Sequence, residues 1–104
     1  MSDNNIGFVV LYHQPDDAKK FDKRDQKHLN VFEKNAGNVV ESAKVLKVDD
    51  EVFYQLAIVK FKPGTDFNAV MNSLAMKTVI DDVLDFVPED KFKVLSITQT
   101  LYES

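Results

Sequence analysis

The sequence predicts an α+β domain in which four strands and two helices follow one another in the order βαββαβ. Four apolar segments alternate as strands do, and two segments between them have helical periodicity. With this order, both crossover helices lie on one side of an antiparallel four-stranded sheet, which is the ferredoxin-like arrangement. The strands are apolar on both faces, so the face without helices also needs a cover. We therefore expect a homodimer that packs through this open sheet face.

The first strand is predicted over Ile6 to His13 and the first helix over Ala18 to Ala36. Asp16 and Asp17 precede the helix and can cap its first turn. Apolar residues recur along the helix at 3.6-residue spacing, and Gly37 follows as a stop signal. This helix should place one apolar face on the sheet.

The second and third strands are predicted over Val39 to Val48 and Val52 to Phe61, joined as a hairpin by a short acidic connection. Alternation in the third strand puts Tyr54 on the same face as Leu56 and Ile58. Because both faces of this strand are apolar, we predict that it is central in the sheet.

The second helix is predicted to begin at Phe67, with Thr65 or Asp66 as its cap. Its apolar periodicity fails near Lys77, and the segment 78–81 resembles a new capping box. The pattern predicts a kink or a second short helix that runs through residue 85. The last strand is then predicted over the segment 92–101.

The whole chain, residues 1–104, reads as a single domain without linkers or repeats. It has no cysteine, so neither disulfides nor thiolate chemistry is available. The net charge of −4 argues against nucleic-acid binding, which needs clustered cations. The first residues lack the basic and apolar regions of a signal peptide, and no apolar run approaches the length of a membrane span. We expect a cytoplasmic protein that does not contact membranes.

Asp25 and His28 form the most informative polar pair, because both fall within the apolar arc of the first helix. A carboxylate that orients an imidazole fixes its tautomer and prepares it as a general base. The alternative is a partly buried histidine bonded to a carbonyl group or water, with Asp25 directed to solvent. The first interpretation makes His28 and Asp25 candidate catalytic residues.

Four other residues are candidate ligand contacts. Tyr12 and Tyr54 are predicted on neighbouring central strands, where each phenol could reach the edge of an apolar cavity, although core packing is the more frequent role. Phe32 lies on the inner arc of the first helix, and Ser96 adds a small polar group on the last strand.

Signatures of nucleotide binding, nucleophile elbows and paired metal-binding histidines are absent from the sequence. We therefore predict no cofactor and no metal. Haem ligation by His28 is an alternative, but it rests on a single histidine.

Several short segments resemble the EthD-like family of the dimeric α+β barrel superfamily. They are the strand 8–12, the Pro15-Asp16-Asp17 turn, a helix bearing His28, the strand 54–61, and a late Asp-x-x-x-Phe segment formed by Asp82 and Phe86. The resemblance extends over nearly the whole chain. It implies a protomer whose sheet packs on that of its twin, with a cleft between each sheet and its own helices.

Two functions are compatible with this reading. The first is a small enzyme of cofactor-free oxygenase, isomerase or cyclase type that acts on an apolar or aromatic molecule, with His28 as base. The second is a non-catalytic ligand-binding or accessory homodimer that uses the same cleft. Wider relatives implied by the resemblance include monooxygenases, polyketide cyclases, muconolactone isomerase and haem-handling proteins, and fold alone does not choose among them.

Overall fold

The computed structural model describes residues 5–104, which form one four-stranded antiparallel sheet with helices on one face. The strand order is β2-β3-β1-β4, and the chain has the predicted βαββαβ topology. The strands are β1 (Gly7–His13), β2 (Val40–Lys47), β3 (Phe53–Phe61) and β4 (Phe92–Ile97). The helices are α1 (Ala18–Ala36), α2 (Phe67–Met71) and α3 (Leu74–Leu84).

Helix α1 has the predicted bounds. The Asp17 side chain accepts a hydrogen bond from the backbone N–H of Lys20 at 3.1 Å, which satisfies one donor of the first turn. The helix ends at Ala36, and a short 3-10 turn from Gly37 to Val39 leads into β2. Local signals were therefore sufficient to place this helix.

The second helical segment divides into two helices, and the second of them ends at Leu84 with Asp85 as its C-cap, as one of the two predicted alternatives had it, but the predicted position of the break near residues 78–81 is wrong. Asn72 ends α2, and Ser73 caps α3 by accepting from the N–H of Met76 at 3.1 Å. The apolar side chain of Leu74 is 83% exposed at the start of α3. A serine cap satisfies the free N–H groups of a new helix, which outweighs one lost apolar contact.

Strand β3 contains a β-bulge that changes the expected side of Tyr54. Tyr12 pairs with Gln55 and His13 pairs with Phe53, so Tyr54 is the extra residue in the ladder. Its ring packs against Phe21 of α1, on the helix side of the sheet. The predicted placement of Tyr54 on the same face as Leu56 and Ile58 is therefore wrong.

Strand β4 is shorter than predicted, because it ends at Ile97, opposite Gly7 at the start of β1. No strand partner remains for the residues that follow. Residues 98–104 form an exposed segment without regular secondary structure, in which the Glu103 carboxylate lies 3.1 Å from the Lys60 ammonium.

The core between sheet and helices consists of two clusters. One contains Phe8 and Met76 and is centred on α3 and the start of β1, and the other contains Tyr12, Phe21 and Val83. Val10 packs against both clusters. The space between the two clusters holds the cavity described next.

Candidate functional site

A cavity of about 110 Å³ lies between the sheet and helices α1 and α3. Its lining is almost entirely apolar and draws on both core clusters. His28 and Tyr12 bring an imidazole and a phenol to this lining. The apolar wall includes Phe8, Val10, Leu29, Phe32, Ala57, Val59, Met76, Val79, Val83 and Phe92.

His28 is buried and is fixed by a carboxylate from α3. Its Nδ1 lies 2.8 Å from Oδ2 of Asp82. Its Nε2 makes no hydrogen bond to any of residues 5–104. One ring nitrogen is therefore held by the protein, and the other is free to serve a molecule in the cavity.

Arg24 holds Asp82 in its ionised form. The guanidinium donates to Oδ1 of Asp82 at 2.8 Å and to Asp85 at 3.1 Å. Hydrogen bonding from Arg24, with a smaller contribution from His28, lowers the pKa of the Asp82 carboxyl below its ordinary value. Because an ionised carboxylate only accepts hydrogen bonds, His28 must carry its proton on Nδ1. In the neutral imidazole, Nε2 is then the nitrogen that can accept a hydrogen bond or a proton.

Phe86 supports this arrangement from the end of α3. The Arg24 guanidinium lies over its ring at 4.5 Å, and the His28 ring lies 5.7 Å from it between centroids. Asp82 and Phe86 form the Asp-x-x-x-Phe segment noted in the sequence, but Asp82 was not among the predicted site residues. That segment was the one signal that could have found it.

Asp25 does not pair with His28 as expected. It is 4% exposed, and its Oδ2 accepts from Nε2 of Gln55 at 3.0 Å. Its Oδ1 is buried and has no hydrogen-bond partner among residues 5–104. Burial raises the pKa of the Asp25 carboxyl. The alternative expectation, with Asp25 directed to solvent, is wrong as well.

A second polar cluster joins Gln55 to the surface. Lys47 donates to Oε1 of Gln55 at 2.8 Å and also pairs with Asp22. The Tyr54 hydroxyl donates to Asp22 at 3.0 Å, and the Lys47 ammonium lies 3.8 Å from the centre of the Tyr54 ring. Tyr54 therefore belongs to this cluster and does not line the cavity.

Tyr12 and Phe32 both line the cavity. Tyr12 is 4% exposed, and burial together with the nearby Asp25 carboxylate raises the pKa of its hydroxyl. Ser96 is exposed on edge strand β4 and lies outside the cavity. The structure thus places Tyr12, Phe32 and His28 at one site and leaves Tyr54 and Ser96 away from it.

The cavity does not fit haem, because its volume is that of one small ring and not of a macrocycle. Within residues 5–104, no three histidine or acidic side chains come together in a way that could hold a metal ion. In the same range, every helix is too short or too polar to cross a bilayer.

Solved structures share this fold. An ethyl tert-butyl ether D (EthD) family protein from Bacillus halodurans superposes with a TM-score of 0.78 at 18% sequence identity, covering 92% of this chain and 99% of that one. This chain has the EthD-type fold. No protein-family model and no curated protein matches the sequence itself.

Two further structures show the same arrangement at lower similarity. HapK from Hahella chejuensis has a TM-score of 0.62 at 10% identity, with 95% of this chain and 99% of that chain covered. A hypothetical protein from Arabidopsis thaliana has a TM-score of 0.61 at 15% identity, with 97% and 93% covered. At these identities the likeness concerns the fold, so function has to be argued from the site.

Proposed function

We propose that this chain is an EthD-like protein that binds a small apolar or aromatic molecule in its cavity and catalyses a proton transfer on it, with His28 as the general base. The observation that carries the proposal is the His28–Asp82 pair in the wall of an otherwise apolar cavity. Burying an imidazole and a carboxylate carries a desolvation penalty. Apolar side chains would fill the same space without that penalty, so packing alone does not account for the pair.

The size of the cavity limits the ligand. An apolar protein cavity of about 150 Å³ binds benzene, and this cavity measures about 110 Å³. A single small ring or a short branched chain fits that volume. Larger substrates would need α1 and α3 to move apart.

The chemistry follows from the two polar groups in the lining. His28 Nε2 takes a proton from the ligand, and the Asp82 carboxylate stabilises the imidazolium that forms. Tyr12 also lines the cavity, and in this proposal its hydroxyl bonds an oxygen of the ligand. Proton removal of this kind is the step shared by isomerases, cyclases and cofactor-free oxygenases.

Thermal-shift screening with benzene derivatives and small cyclic ketones tests binding. A ligand at a hundred times its dissociation constant should add about 2.7 kcal/mol to the free energy of unfolding.

For any compound that is turned over, His28→Ala should reduce kcat on the order of a hundredfold. His13→Ala is the matched control, because His13 ends β1 against Phe53 and does not line the cavity. An unchanged rate in His28→Ala would remove the assigned role.

A second candidate is a non-catalytic binding or accessory protein. The scarcity of polar groups in the cavity lining favours it, since a catalytic site usually adds more positioning groups. In that case a compound would stabilise the protein and be recovered unchanged, and His28→Ala would alter affinity only.

A homodimer is part of the proposal. The outer face of the sheet carries apolar side chains from all four strands, and it is not covered by any helix. Leu46 is 45% exposed and Leu95 is 42% exposed on this face, with Leu11 and Ile58 half-buried between them. An exposed sheet face with apolar side chains is self-complementary under two-fold symmetry, so a second copy is the occupant that we propose.

A further inference from the structure

The lining of the cavity follows one cross-strand row of the sheet. Strand register places four residues of this row side by side, one from each strand, and all four line the cavity. In the order of the strands they are Val45 of β2, Ala57 of β3, Val10 of β1 and Val94 of β4. Neighbouring strands lie about 4.8 Å apart, so the row spans roughly 14 Å from one edge of the sheet to the other. The cavity therefore extends across the full width of the sheet.

Both ends of this row are open to solvent. Val45 is 41% exposed and Val94 is 46% exposed, although both residues line the cavity. Ala57 and Val10, on the two central strands, are half-buried. Lining residues that are also exposed mark the places where a cavity meets solvent. The cavity thus has one opening beside Val45 and a second opening beside Val94.

On the β2 side, the opening lies between the edge of the sheet and α1. Asp22 of α1 pairs with Lys47 of β2, which shows which flank of the helix faces this edge. Leu29 follows Asp22 by seven residues, or nearly two turns, so it lies on the same flank. Leu29 and Val45 both line the cavity. We call the gap between them the β2 mouth.

On the β4 side, the opening lies between the edge of the sheet and α3. Asp82 of α3 faces α1, because it bonds His28. Ile80 precedes Asp82 by two residues, which is about 200° around the helix, so it lies on the flank away from α1. Ile80 lines the cavity and is 40% exposed. We call the gap between Ile80 and Val94 the β4 mouth.

We propose that the cavity is a passage from the β2 mouth to the β4 mouth, and that its ligand is an elongated apolar molecule whose middle lies at His28 and whose ends leave through the two mouths. The bond to Asp82 places the His28 ring at the seam between α1 and α3, and the mouths lie on the outer flanks of these helices. The volume of about 110 Å³ then limits the width of the ligand and not its length.

This inference rests on the proposed function and defines its ligand more closely. The side chains at the two mouths, those of Leu29, Val45, Ile80 and Val94, are all apolar, so the parts of the ligand that pass them are apolar as well. The proton that His28 takes then belongs to an internal position of the ligand. A ring substituted at opposite positions has this shape. Because the row lies on the helix side of the sheet, a second copy on the outer face would leave both mouths free.

Xenon tests the two mouths without knowledge of the substrate, because apolar protein cavities bind it. ¹²⁹Xe NMR of the full chain measures its exchange between the cavity and water. Val45→Trp and Val94→Trp should each retain exchange, since the opposite mouth stays open, and the double variant should lose it. Ser96→Trp is the matched control, because Ser96 is exposed on the same face of β4 and lies outside the lining. Loss of exchange in either single variant, or its persistence in the double variant, would overturn the proposal.

Two isomers test the shape of the ligand in the unmodified protein. The ethyl groups of para-diethylbenzene lie at opposite ends of the ring, and those of ortho-diethylbenzene lie side by side. The para isomer should bind at least about tenfold more tightly, because the second ethyl group of the ortho isomer would overlap the cavity wall. Val45→Trp and Val94→Trp should each lower this ratio, whereas Ser96→Trp should keep it. Equal affinities of the wild type for the two isomers would rule out the elongated ligand.

The outcomes separate this inference from the proposed function. Xenon exchange through two mouths, without turnover of any compound, would keep the passage and remove the catalytic role of His28. Turnover of a compound in a cavity with a single mouth would keep the catalytic role and remove the passage. Absence of xenon binding would count against both.

Discussion

His28 and Asp82 are 54 residues apart in the chain, and Nδ1 of one lies 2.8 Å from Oδ2 of the other. The bond joins α1 to α3, and the Arg24 guanidinium donates to the other oxygen of the same carboxylate. His28 is the only buried histidine in residues 5–104. The orientation of its ring depends on the Asp82 carboxylate of α3, which the Arg24 guanidinium of α1 holds in turn.

Asp82→Asn should reverse the tautomer of His28. Arg24 can only donate, so it should take the amide oxygen of the new side chain and turn its NH2 group toward Nδ1. Nδ1 would then accept, and the proton would move to Nε2. ¹⁵N NMR of the imidazole ring measures this directly, with the Nδ1–H form expected in the wild type. Asp81→Asn is the control, because Asp81 pairs with Lys77 on the surface. An unchanged tautomer in Asp82→Asn would contradict the assignment.

Asp82 and Asp25 should affect the pH dependence of stability with opposite signs. Folding lowers the pKa of Asp82. The stability that the Asp82 carboxylate gives to the folded state is therefore fully present above the unfolded-state pKa of about 3.9, and it is lost as pH falls through the folded-state pKa. Since folding raises the pKa of Asp25, stability is lost as pH rises from the unfolded-state value to the folded-state value.

Urea denaturation at pH 7 and pH 3 tests both signs. Asp82→Asn should lose about 2 kcal/mol at pH 7 and less at pH 3. Asp25→Asn should be as stable as the wild type at pH 7, or more stable. A loss at pH 7 in Asp25→Asn equal to that in Asp82→Asn would refute the sign assigned to Asp25.

Gly7→Ala should be strongly destabilising. Gly7 is buried where β1 starts, and an added Cβ would overlap the backbone oxygen of Val59 and lie 2.9 Å from Cα of Lys60. Backbone atoms in the middle of a ladder cannot move aside, so we expect a loss on the order of 2–4 kcal/mol in thermal or urea unfolding. Gly37→Ala is the matched comparison, because its Cβ meets only the flexible Glu33 side chain at 3.3 Å. It should change stability by less than about 0.5 kcal/mol.

Leu95→Glu should separate the proposed dimer. Leu95 is 42% exposed on the outer sheet face, and a carboxylate there would be buried against the second copy. Sedimentation velocity should find two copies for the wild type and one for the variant. Leu74→Glu adds the same charge at an 83% exposed position on the helix layer and should leave two copies. A single-copy wild type at micromolar concentration would end the dimer proposal.

The sequence by itself was sufficient for the element order and for α1, because periodicity, caps and stop signals act within a few residues. It also indicated that His28 faces inward, since the wheel of one helix fixes which side chains share a face. These are properties of local segments, and the structure confirms the resulting topology.

Only the tertiary structure decided which carboxylate meets His28. Asp25 is nearer in sequence, but the sheet presents Gln55 to it, and α3 brings Asp82 to the imidazole instead. The bulge that turns Tyr54 to Asp22 is likewise a result of strand register. Such contacts join residues that are far apart in the sequence. They depend on how the helices and strands pack, which the pattern within one segment does not determine. The sequence therefore determined the fold and the inward histidine, and packing decided the chemistry around it.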